Sequence, residues 1–466
     1  MSKRSAVAGS HPMIRWLLER LARFPDRDAI VDGHRVMTHR QLVDRVAAWS
    51  TILDNRALPA GSVIALQGHA SPDIYALFVA VLVTGRIAVP LPANSEDCER
   101  FLEIAQANAL FEFAPSGEWD FRSRPGATAP APLLQRLRER GRAGLIVFSS
   151  GSSGTRKAAP FELDTLLKRY REPARGYRSL LFLQLDHLGG VHTLLHTLAH
   201  GGTAILSPDR RPESICQTVE RYRVELLPTT PTFLRMLVIS GLHERYDLSS
   251  LRLITYGTEP MPPSTLAALT PLFPDARFKQ TYGLSELGVL PTRSRTSDSL
   301  WLEIGGVGCE ARVVDDVLWI RSETAMLGYL NAPSPFDQGG WYNTGDLVQV
   351  DGSYVRILGR HSEVINVGGE KVHPVEVESV LLEMDDISDA TVWAHPSPVT
   401  GHVVAARVTP RRRYDAATLE QRVYRYCQGR LAPWKIPAVI EIVDGEHHGA
   451  RFKKLRARAE AASQPA

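Results

Sequence analysis

The sequence predicts an α/β protein with a mostly parallel, covered sheet, followed by a smaller α+β unit. Along the first 350 residues, short apolar runs alternate with helical stretches, and the runs lie at 62–66, 144–148, 179–185, 202–206 and 251–257. This alternation is typical of strand–helix–strand units whose helices cover a parallel sheet. From about residue 300 onward, short β runs separated by tight turns replace it, which indicates a second architecture.

Individual elements of the first part follow from their patterns. Residues 74–83 form an uninterrupted apolar stretch, far short of the roughly 20 residues that cross a bilayer, and therefore predict a buried helix and no membrane span. Apolar side chains recur at helical spacing over 212–222, which predicts an amphipathic helix. Residues 115–117 and 122–132 are rich in Pro, Arg and Gly without any period, and they predict surface connections.

The second architecture ends in a compact C-terminal unit of about a hundred residues. Asp351-Gly352 predicts a hairpin turn. Beyond it, strands are predicted at 363–367, 389–395 and 402–410, and helices at 374–384 and 416–430. Glu376 and Glu378 are expected only to place negative charge near the start of the first of these helices. Residues 1–360 and 361–466 are therefore predicted to form two domains.

The composition excludes several classes of protein. The 54 Lys plus Arg residues oppose 51 Asp plus Glu, so the net charge of +3 gives no electrostatic sign of nucleic-acid binding. The first residues carry charge without an apolar segment behind them, so no secretory signal is expected. The four cysteines form no CxxC pair, which predicts neither a zinc cluster nor a disulfide framework and makes a reducing cytoplasm the expected location.

The strand predicted at 144–148 runs into a loop that combines hydroxyl groups, two glycines and a terminal lysine. The loop reads Ser149, Ser150, Gly151, Ser152, Ser153, Gly154, Thr155, Arg156 and Lys157. Glycines let backbone N–H groups converge on phosphate oxygens, the hydroxyls add donors, and the lysine balances phosphate charge. The same composition fits a flexible surface linker, although the strand before it and the lysine after it favour phosphate binding.

Four further motifs follow in order along the chain. They are YGTEP at 256–260, YGLSE at 282–286, WYNTGDL at 341–347, and GRHSE at 359–363 with VGGEKVHPVE at 367–376. Each has an ordinary structural interpretation, such as a turn at a strand end or a solvated carboxylate. Their chemistry also suits a nucleotide, because carboxylates ligate Mg²⁺ or accept hydrogen bonds from ribose hydroxyls. Ligands of open α/β sheets lie at the carboxyl ends of strands.

Together with the phosphate loop, these motifs resemble the adenylate-forming superfamily of acyl-CoA synthetases, peptide-synthetase adenylation domains and luciferases. The resemblance covers nearly the whole chain, although Arg156 stands where the superfamily usually has Pro. It implies a large N-terminal multi-sheet α/β domain and a small mobile α+β C-terminal domain. It also implies ATP and Mg²⁺ as cofactors, with CoA or phosphopantetheine as the thiol acceptor.

The resemblance assigns roles residue by residue. The ATP phosphates would be bound by Ser149, Ser150, Gly151, Ser152, Ser153, Gly154 and Lys157. The adenine would lie beside Gly257, Thr258 and Glu259, and the nucleotide would also meet Tyr282, Gly283 and Ser285. Glu286 is implied as a catalytic residue and Mg²⁺ ligand, Asp346 as the acceptor of both ribose hydroxyls, Arg360 as a ribose neighbour and Ser362 as the interdomain hinge.

The run LDHLGG at 185–190 resembles an acyl-CoA synthetase motif that places His187, as a catalytic residue, beside the acyl pocket. Amino-acid-activating relatives commonly carry an Asp there, which meets the substrate ammonium. His187 therefore favours an acid without an α-amino group, but Asp186 directly precedes it, and a shift of one residue would reverse the inference. A structural histidine at a strand end is the other interpretation.

The C-terminal tail departs from the superfamily, because it lacks the Gly-Lys pair whose lysine reaches the substrate carboxylate and the α-phosphate. Counting without gaps places Lys453 there as the predicted catalytic lysine, whereas the local pattern places Arg451 there, and Lys454 is a third candidate. The choice matters mechanistically, since Lys is a compact point charge and Arg a rigid planar fork. A basic amphipathic tail with solvated charges is the alternative interpretation.

The resemblance implies an AMP-forming acid–thiol ligase that resembles acyl-CoA synthetases. Its expected partners are a small carboxylic acid and CoA, with an acyl carrier protein as an alternative acceptor, and no nucleic acid. Two other functions stay open: a stand-alone amino-acid adenylation domain, and a relative that binds a nucleotide or acyl adenylate without catalysis. The missing Gly-Lys motivates the second of these.

Overall fold

Twelve helices can be followed in the computed structural model, which describes residues 14–93, 95, 97–127, 129–150, 156–444, 447, 448 and 454. They are α1 (Arg15–Leu21), α2 (His39–Asn55), α3 (Pro72–Val83), α4 (Cys98–Ile104), α5 (Pro132–Glu139), α6 (Leu163–Leu167), α7 (Leu188–Ala199), α8 (Pro212–Tyr222), α9 (Pro231–Ser240), α10 (Pro263–Leu272), α11 (Pro374–Leu382) and α12 (Ala416–Cys427). Several begin with proline, whose missing N–H costs nothing in the first turn.

Strands up to residue 280 build two large sheets. They are β1 (Asp28–Asp32), β2 (Arg35–Thr38), β3 (Val63–Gly68), β4 (Ile87–Leu91), β5 (Ala109–Phe113), β6 (Trp119–Ser123), β7 (Gly144–Ser150), β8 (Arg156–Glu162), β9 (Arg178–Leu180), β10 (Thr203–Leu206), β11 (Leu226–Thr229), β12 (Leu253–Tyr256) and β13 (Arg277–Gln280). One sheet has the order β13-β12-β11-β9-β10-β1-β2 and the other β6-β5-β3-β4-β7-β8. Their central pairs are parallel, as the alternating sequence pattern predicts.

The remaining strands form three further sheets, whose pairs are antiparallel except for one parallel pair at the end of the C-terminal sheet. They are β14 (Gly283–Leu284), β15 (Gly288–Val289), β16 (Thr292–Ser294), β17 (Leu302–Ile304), β18 (Cys309–Val314), β19 (Val317–Ser322), β20 (Tyr342–Asp351), β21 (Tyr354–Arg360), β22 (Ile365–Val367), β23 (Glu370–Val372), β24 (Ile387–Ser397), β25 (Gly401–Pro410) and β26 (Val439–Ile442). Strands β16 to β21 build a third large sheet, and β22 to β26 build the sheet of the C-terminal domain. Gly352, at a φ of 61°, forms the predicted turn between β20 and β21.

Helix α3 lies in the core between the two large N-terminal sheets. All of the apolar residues 74–83 are buried, and the helix contacts β3 and β4 of one sheet and β1 of the other. The predicted buried helix is therefore confirmed. Among the residues that the structure describes, no helix is long and apolar enough to cross a membrane.

Two segments differ from the prediction. Residues 119–123, at the start of a predicted surface connection, form the edge strand β6, because Trp119 packs on Trp49 and Phe121 on Phe111, with ring centroids 5.1 Å apart in both pairs. The strand expected over 179–185 ends at Leu180, where its pairing with β10 ends. The chain then leaves the sheet and enters α7.

Close packing at the start of α7 yields a prediction about stability. A Cβ at Gly190 would overlap the carbonyl oxygen of Gln184 and lie 2.6 Å from that of Leu183, and neither backbone atom can turn away. We expect Gly190→Ala to lower the free energy of unfolding by about 3 kcal/mol, as overpacking against a rigid wall does. Thermal or urea unfolding measures this loss of stability.

Gly189→Ala is the matched control, since its Cβ would meet only the end of the flexible Leu183 side chain, at 2.6 Å. Its cost should be below about 1 kcal/mol, because Ala favours the helix over Gly. Equal losses of stability in the two variants would show that the backbone clash is not the cause.

Candidate active site

A cleft of about 200 Å³ opens where the first sheet meets the third sheet and the C-terminal domain. It is lined by Thr258, Glu259, Pro260, Gln280, Thr281, Tyr282, Gly283, Leu284, Asp346, Ile357, Gly359, Arg360, Glu363 and Lys454. Strands β12 and β13 end here, so the cleft lies at the carboxyl edge of parallel strands, where this class of sheet binds ligands. Four of the predicted sequence motifs contribute to its walls.

The turn after β12 is held very close to the turn after β13. The Thr281 N–H donates to the Tyr256 carbonyl at 2.7 Å, and a Cβ at Gly257 would lie 2.5 Å from the Thr281 hydroxyl oxygen. Only glycine fits at position 257. The next residue, Thr258, has a φ of +74°, a strained conformation for a β-branched residue. Residues 258–260 of this turn line the cleft, and the contact of the turn with adenine stays a prediction.

Asp346 lies at the centre of a buried hydrogen-bond network. Its Oδ2 accepts from the Tyr282 hydroxyl at 2.5 Å, and its Oδ1 is 2.7 Å from Arg360 Nε. Burial and the adjacent Asp346 charge raise the pKa of Tyr282, which keeps that hydroxyl a donor. An ionised carboxylate is an acceptor-only group with about four acceptor positions, which is the chemistry that ribose hydroxyls need.

The backbone around Asp346 is fixed by its own side chains. The Thr344 hydroxyl donates to the Leu318 carbonyl at 2.7 Å and accepts from the Asp346 N–H at 3.0 Å. Arg360 Nη1 donates to the Thr344 carbonyl at 2.9 Å. Gly345 supplies a φ of +70° between them. The carboxylate is therefore preorganised by the fold itself.

Glu286 lies in the turn between β14 and β15 and is 9% exposed. Its Oε1 accepts from the Tyr329 hydroxyl at 2.6 Å, and its carbonyl accepts from the Met326 N–H at 2.8 Å. Burial and the Glu286 carboxylate raise the pKa of both Tyr329 and Tyr342. The Asp346 charge also raises the pKa of Tyr342, so this hydroxyl is influenced by both of the predicted functional carboxylates.

The predicted phosphate loop begins and ends on one hairpin. Ser149 pairs with Lys157, and Ser150 with Arg156, across strands β7 and β8. The Lys157 ammonium lies 5.1 Å from the ring centroid of Tyr329, which also hydrogen-bonds the Ser149 side chain. This hairpin therefore ends beside Glu286. The loop residues Gly151, Ser152, Ser153 and Gly154 lie outside the residues that the structure describes.

Glu259 contacts both domains. Its Oε1 accepts from the Thr232 N–H at 2.8 Å and from the Thr232 hydroxyl, and its Oε2 accepts from the Lys454 N–H at 3.3 Å. Gly283, in β14, lines the cleft, and Ser285 directly follows that strand. Their predicted contacts with a nucleotide stay predictions.

His187 and Asp186 lie on another part of the carboxyl edge, directly before α7. His187 Nε2 is 3.8 Å from Asp186 Oδ2. Asp186, together with Tyr75 and Leu66, lines a separate cavity of about 30 Å³ between the two N-terminal sheets. The acyl-pocket role of His187 stays a prediction.

Ser362 is exposed in a short 3-10 turn, His361–Glu363, that follows β21. The sheet of the C-terminal domain begins just beyond it, at Ile365. The hinge at Ser362 and the domain boundary after residue 360 stay predictions. Lys453 and Arg451 lie outside the described residues.

One residue that contacts the site was not predicted, and another was predicted only as a candidate for the catalytic lysine. Tyr329 is 43 positions from its partner Glu286, and Lys454 is 195 positions from Glu259. The expectation for Glu378 was wrong. Its side chain is 1% exposed and accepts from the Val392 N–H at 3.0 Å, because it shares the inward helix face with Leu381 and Leu382.

Comparison with protein families identifies the chain. Residues 17–330 match the model of the AMP-binding enzyme family, and residues 376–451 match that of the AMP-binding enzyme C-terminal domain. The chain belongs to the AMP-binding enzyme family. The predicted adenylate-forming superfamily is thus confirmed, and so is the adenylate-forming ligase function at the level of this family.

Similar proteins support the same assignment for this AMP-binding enzyme. It is 26% identical to 2-succinylbenzoate–CoA ligase of Bacillus pumilus, over 95% of this chain and 96% of that protein. It is also 26% identical to indoleacetate–CoA ligase of Aromatoleum aromaticum, with 91% of each chain covered.

Solved structures confirm the predicted fold of the AMP-binding enzyme. The anthranilate CoA ligase AuaEII, in complex with anthranoyl-AMP, superimposes with a TM-score of 0.81 at 20% identity and 96% coverage of both chains. The o-succinylbenzoate CoA synthetase of Bacillus subtilis, in complex with its acyl adenylate, gives a TM-score of 0.75 at 21% identity, covering 96% of this chain and 98% of that one. A large N-terminal and a smaller C-terminal domain are common to them.

Proposed function

We propose that this enzyme activates a small carboxylic acid with ATP as an acyl adenylate and then transfers the acyl group to CoA. The observation that carries the proposal is that two of the predicted motifs meet in the cleft, because the hydroxyl of Tyr282, in the motif that contains Glu286, donates to Asp346 Oδ2 at 2.5 Å. One carboxylate has the chemistry to hold a metal ion on the triphosphate, and the other has the acceptor capacity for a ribose. The names of the similar CoA ligases support CoA as the acceptor of the acyl group.

The nucleotide would lie along the cleft with its ribose at Asp346. The adenine would face the turn at Gly257 and Thr258, and the phosphates would extend toward Ser149 and Lys157. This direction follows from the positions of the two carboxylates, since Asp346 opens to the cleft and Glu286 lies beside the hairpin of the phosphate loop.

The residues present fit a Mg²⁺ ion. Glu286 offers a buried carboxylate whose orientation is fixed by Tyr329, and Mg²⁺ commonly takes one or two carboxylates together with substrate phosphates and waters. No group of three or more His, Cys, Asp or Glu side chains could hold a metal within the described part of the chain, so phosphate oxygens would complete the coordination. When bound, the ion would neutralise charge on the triphosphate.

Tyr329→Phe tests this arrangement, because it removes the hydroxyl that orients Glu286 at 2.6 Å and keeps the ring. We expect the Mg²⁺ concentration for half-maximal adenylation to rise about 10- to 100-fold, the usual cost of losing a group that orients a metal ligand. A Mg²⁺ titration of acid-dependent pyrophosphate exchange measures it. A lower rate at saturating Mg²⁺ with an unchanged half-maximal concentration would contradict this role.

The chemistry needs no covalent nucleophile from the protein. A carboxylate oxygen of the acid attacks the α-phosphorus in line, and the bond from that phosphorus to the pyrophosphate oxygen breaks. A CoA thiol then loses its proton and attacks the acyl carbon, which releases AMP. Positioning and charge stabilisation dominate the catalysis of such phosphoryl chemistry.

The acid is proposed to lack an α-amino group. By resemblance, His187 would stand where amino-acid-activating relatives carry an Asp, and the similar proteins are named for 2-succinylbenzoate and indoleacetate. Amino acids need a direct test as substrates, because the buried carboxylate of Asp186 adjoins His187 and could instead meet a substrate ammonium. An acyl carrier protein is the alternative acceptor, and the cytoplasm is the proposed location.

A panel of fatty, aryl and amino acids in ATP–pyrophosphate exchange tests the function. We expect exchange with at least one fatty or aryl acid, followed by thioester formation when CoA is added. Exchange with amino acids alone would instead identify an amino-acid adenylation enzyme. Binding of Mg·ATP without exchange for any acid would identify a protein that binds the nucleotide without catalysis.

A further inference from the structure

The side chain of Lys454 enters a buried polar group in the C-terminal domain. Its ammonium lies 3.3 Å from Asp389 Oδ1 and 3.9 Å from Glu378 Oε2, and it donates to the Ala390 carbonyl. The Lys454 side chain is only 7% exposed. The Glu378 and Asp389 side chains are only 1% and 17% exposed, and carboxylates this far from water need a cation beside them, a charge that Lys454 supplies.

Further hydrogen bonds within the C-terminal domain hold this polar group in place. Glu378 accepts from a backbone N–H of β24, and the two ring nitrogens of His447 lie 2.9 Å from the Thr391 and Thr409 hydroxyls. Burial alone would raise the pKa of Asp389, but the Lys454 charge holds it below its ordinary value. The tail residue Lys454 is thus tightly attached to this domain.

The main chain of the same residue contacts the N-terminal domain. The Lys454 N–H donates to Glu259 Oε2 at 3.3 Å, and Glu259 is itself held by Thr232. Beside this contact, Arg235 Nη2 donates to the Leu382 carbonyl at 3.2 Å and joins the same two faces. Lys454 therefore connects the tail to the cleft by its backbone and to the C-terminal domain by its side chain.

We propose that Lys454 is a positioning residue, which places the tail at the nucleotide cleft for adenylation. The inference rests on the proposed function. Because its ammonium is occupied by Asp389 and Glu378, Lys454 acts through its neighbours in the chain and not on the substrate. By resemblance the tail reaches the substrate carboxylate and the α-phosphate, which are the groups that react in adenylation, so transfer of the acyl group from a ready-made acyl adenylate to CoA should not depend on Lys454.

The test separates the two half-reactions. Lys454→Met removes the charge and retains the length of the side chain. It should slow acid-dependent pyrophosphate exchange about 10- to 100-fold, as expected when a reacting group is displaced by about 1 Å. Thioester formation from chemically prepared acyl adenylate and CoA should stay within about threefold, and Lys454→Arg should restore part of the exchange.

Asp386→Asn is the matched control. Asp386 is a buried carboxylate of the same domain, but it is bound by Arg412, Tyr414 and Arg422. It should leave the ratio of the two half-reaction rates unchanged. The inference is overturned if Lys454→Met slows both half-reactions equally or slows neither. If the unmodified protein carries out neither half-reaction with any acid, the proposed function itself fails, and this inference fails with it.

Discussion

Asp346→Asn is expected to lower acid-dependent pyrophosphate exchange by about 10²- to 10³-fold, with most of the loss in affinity for ATP. The amide has the size of the carboxylate but donates at one end, so it cannot accept from Tyr282, Arg360 and a ribose together. The surrounding network holds the side chain in place and prevents it from turning away. Calorimetry of Mg·ATP binding, beside the exchange rate, measures the effect.

Asp351→Asn provides the control on the same strand. Asp351 ends β20 and pairs with Arg295 at 2.7 Å, but its side chain is 59% exposed. Exposed ion pairs contribute little, so exchange should change by less than about threefold. Should Asp346→Asn bind ATP as tightly as the unmodified enzyme, the ribose would have to be bound elsewhere.

Much of the fold could be predicted because its signals are local. Helix α8 begins and ends at the predicted residues 212 and 222, since its apolar face repeats at the helical period. Strand β9 was predicted too long for a related reason. An apolar run indicates burial, but it does not show where a neighbouring strand stops pairing, and here β10 offers no partner beyond Leu206.

The residues of the candidate site also differ in whether a local sequence signal reveals them. Asp346, Glu286 and Lys157 could be found because each lies in a contiguous motif whose chemistry is readable from the sequence. Tyr329 could not be found, and Lys454 could be named only as a candidate for the catalytic lysine, because their contacts with Glu286 and Glu259 join segments far apart in the chain and no period or spacing encodes them. Glu378 illustrates the converse, since its tertiary partners decide its role and its position in the helix does not.

Lys453→Ala is expected to slow adenylation by about 10²- to 10³-fold, the usual cost of removing a preorganised charge from a reacting phosphate. Of the three cations that compete for the catalytic place, Lys454 is excluded by its buried contacts with Asp389 and Glu378. Counting without gaps favours Lys453 over Arg451. Single-turnover pyrophosphate release measures adenylation, and thioester formation from supplied acyl adenylate should stay unchanged.

Arg451→Ala is the paired variant that decides between the two registers. If it causes the large loss and Lys453→Ala does not, Arg451 occupies the catalytic place. If neither matters while the unmodified enzyme adenylates its acid, the tail does not act on the phosphate at all.

The double variant Lys453→Ala with Lys454→Met should be no slower than the slower single variant, because a mispositioned charge and a missing charge remove the same contact. Multiplicative losses would show instead that Lys454 acts independently of its neighbour, which the buried contacts of its ammonium do not predict.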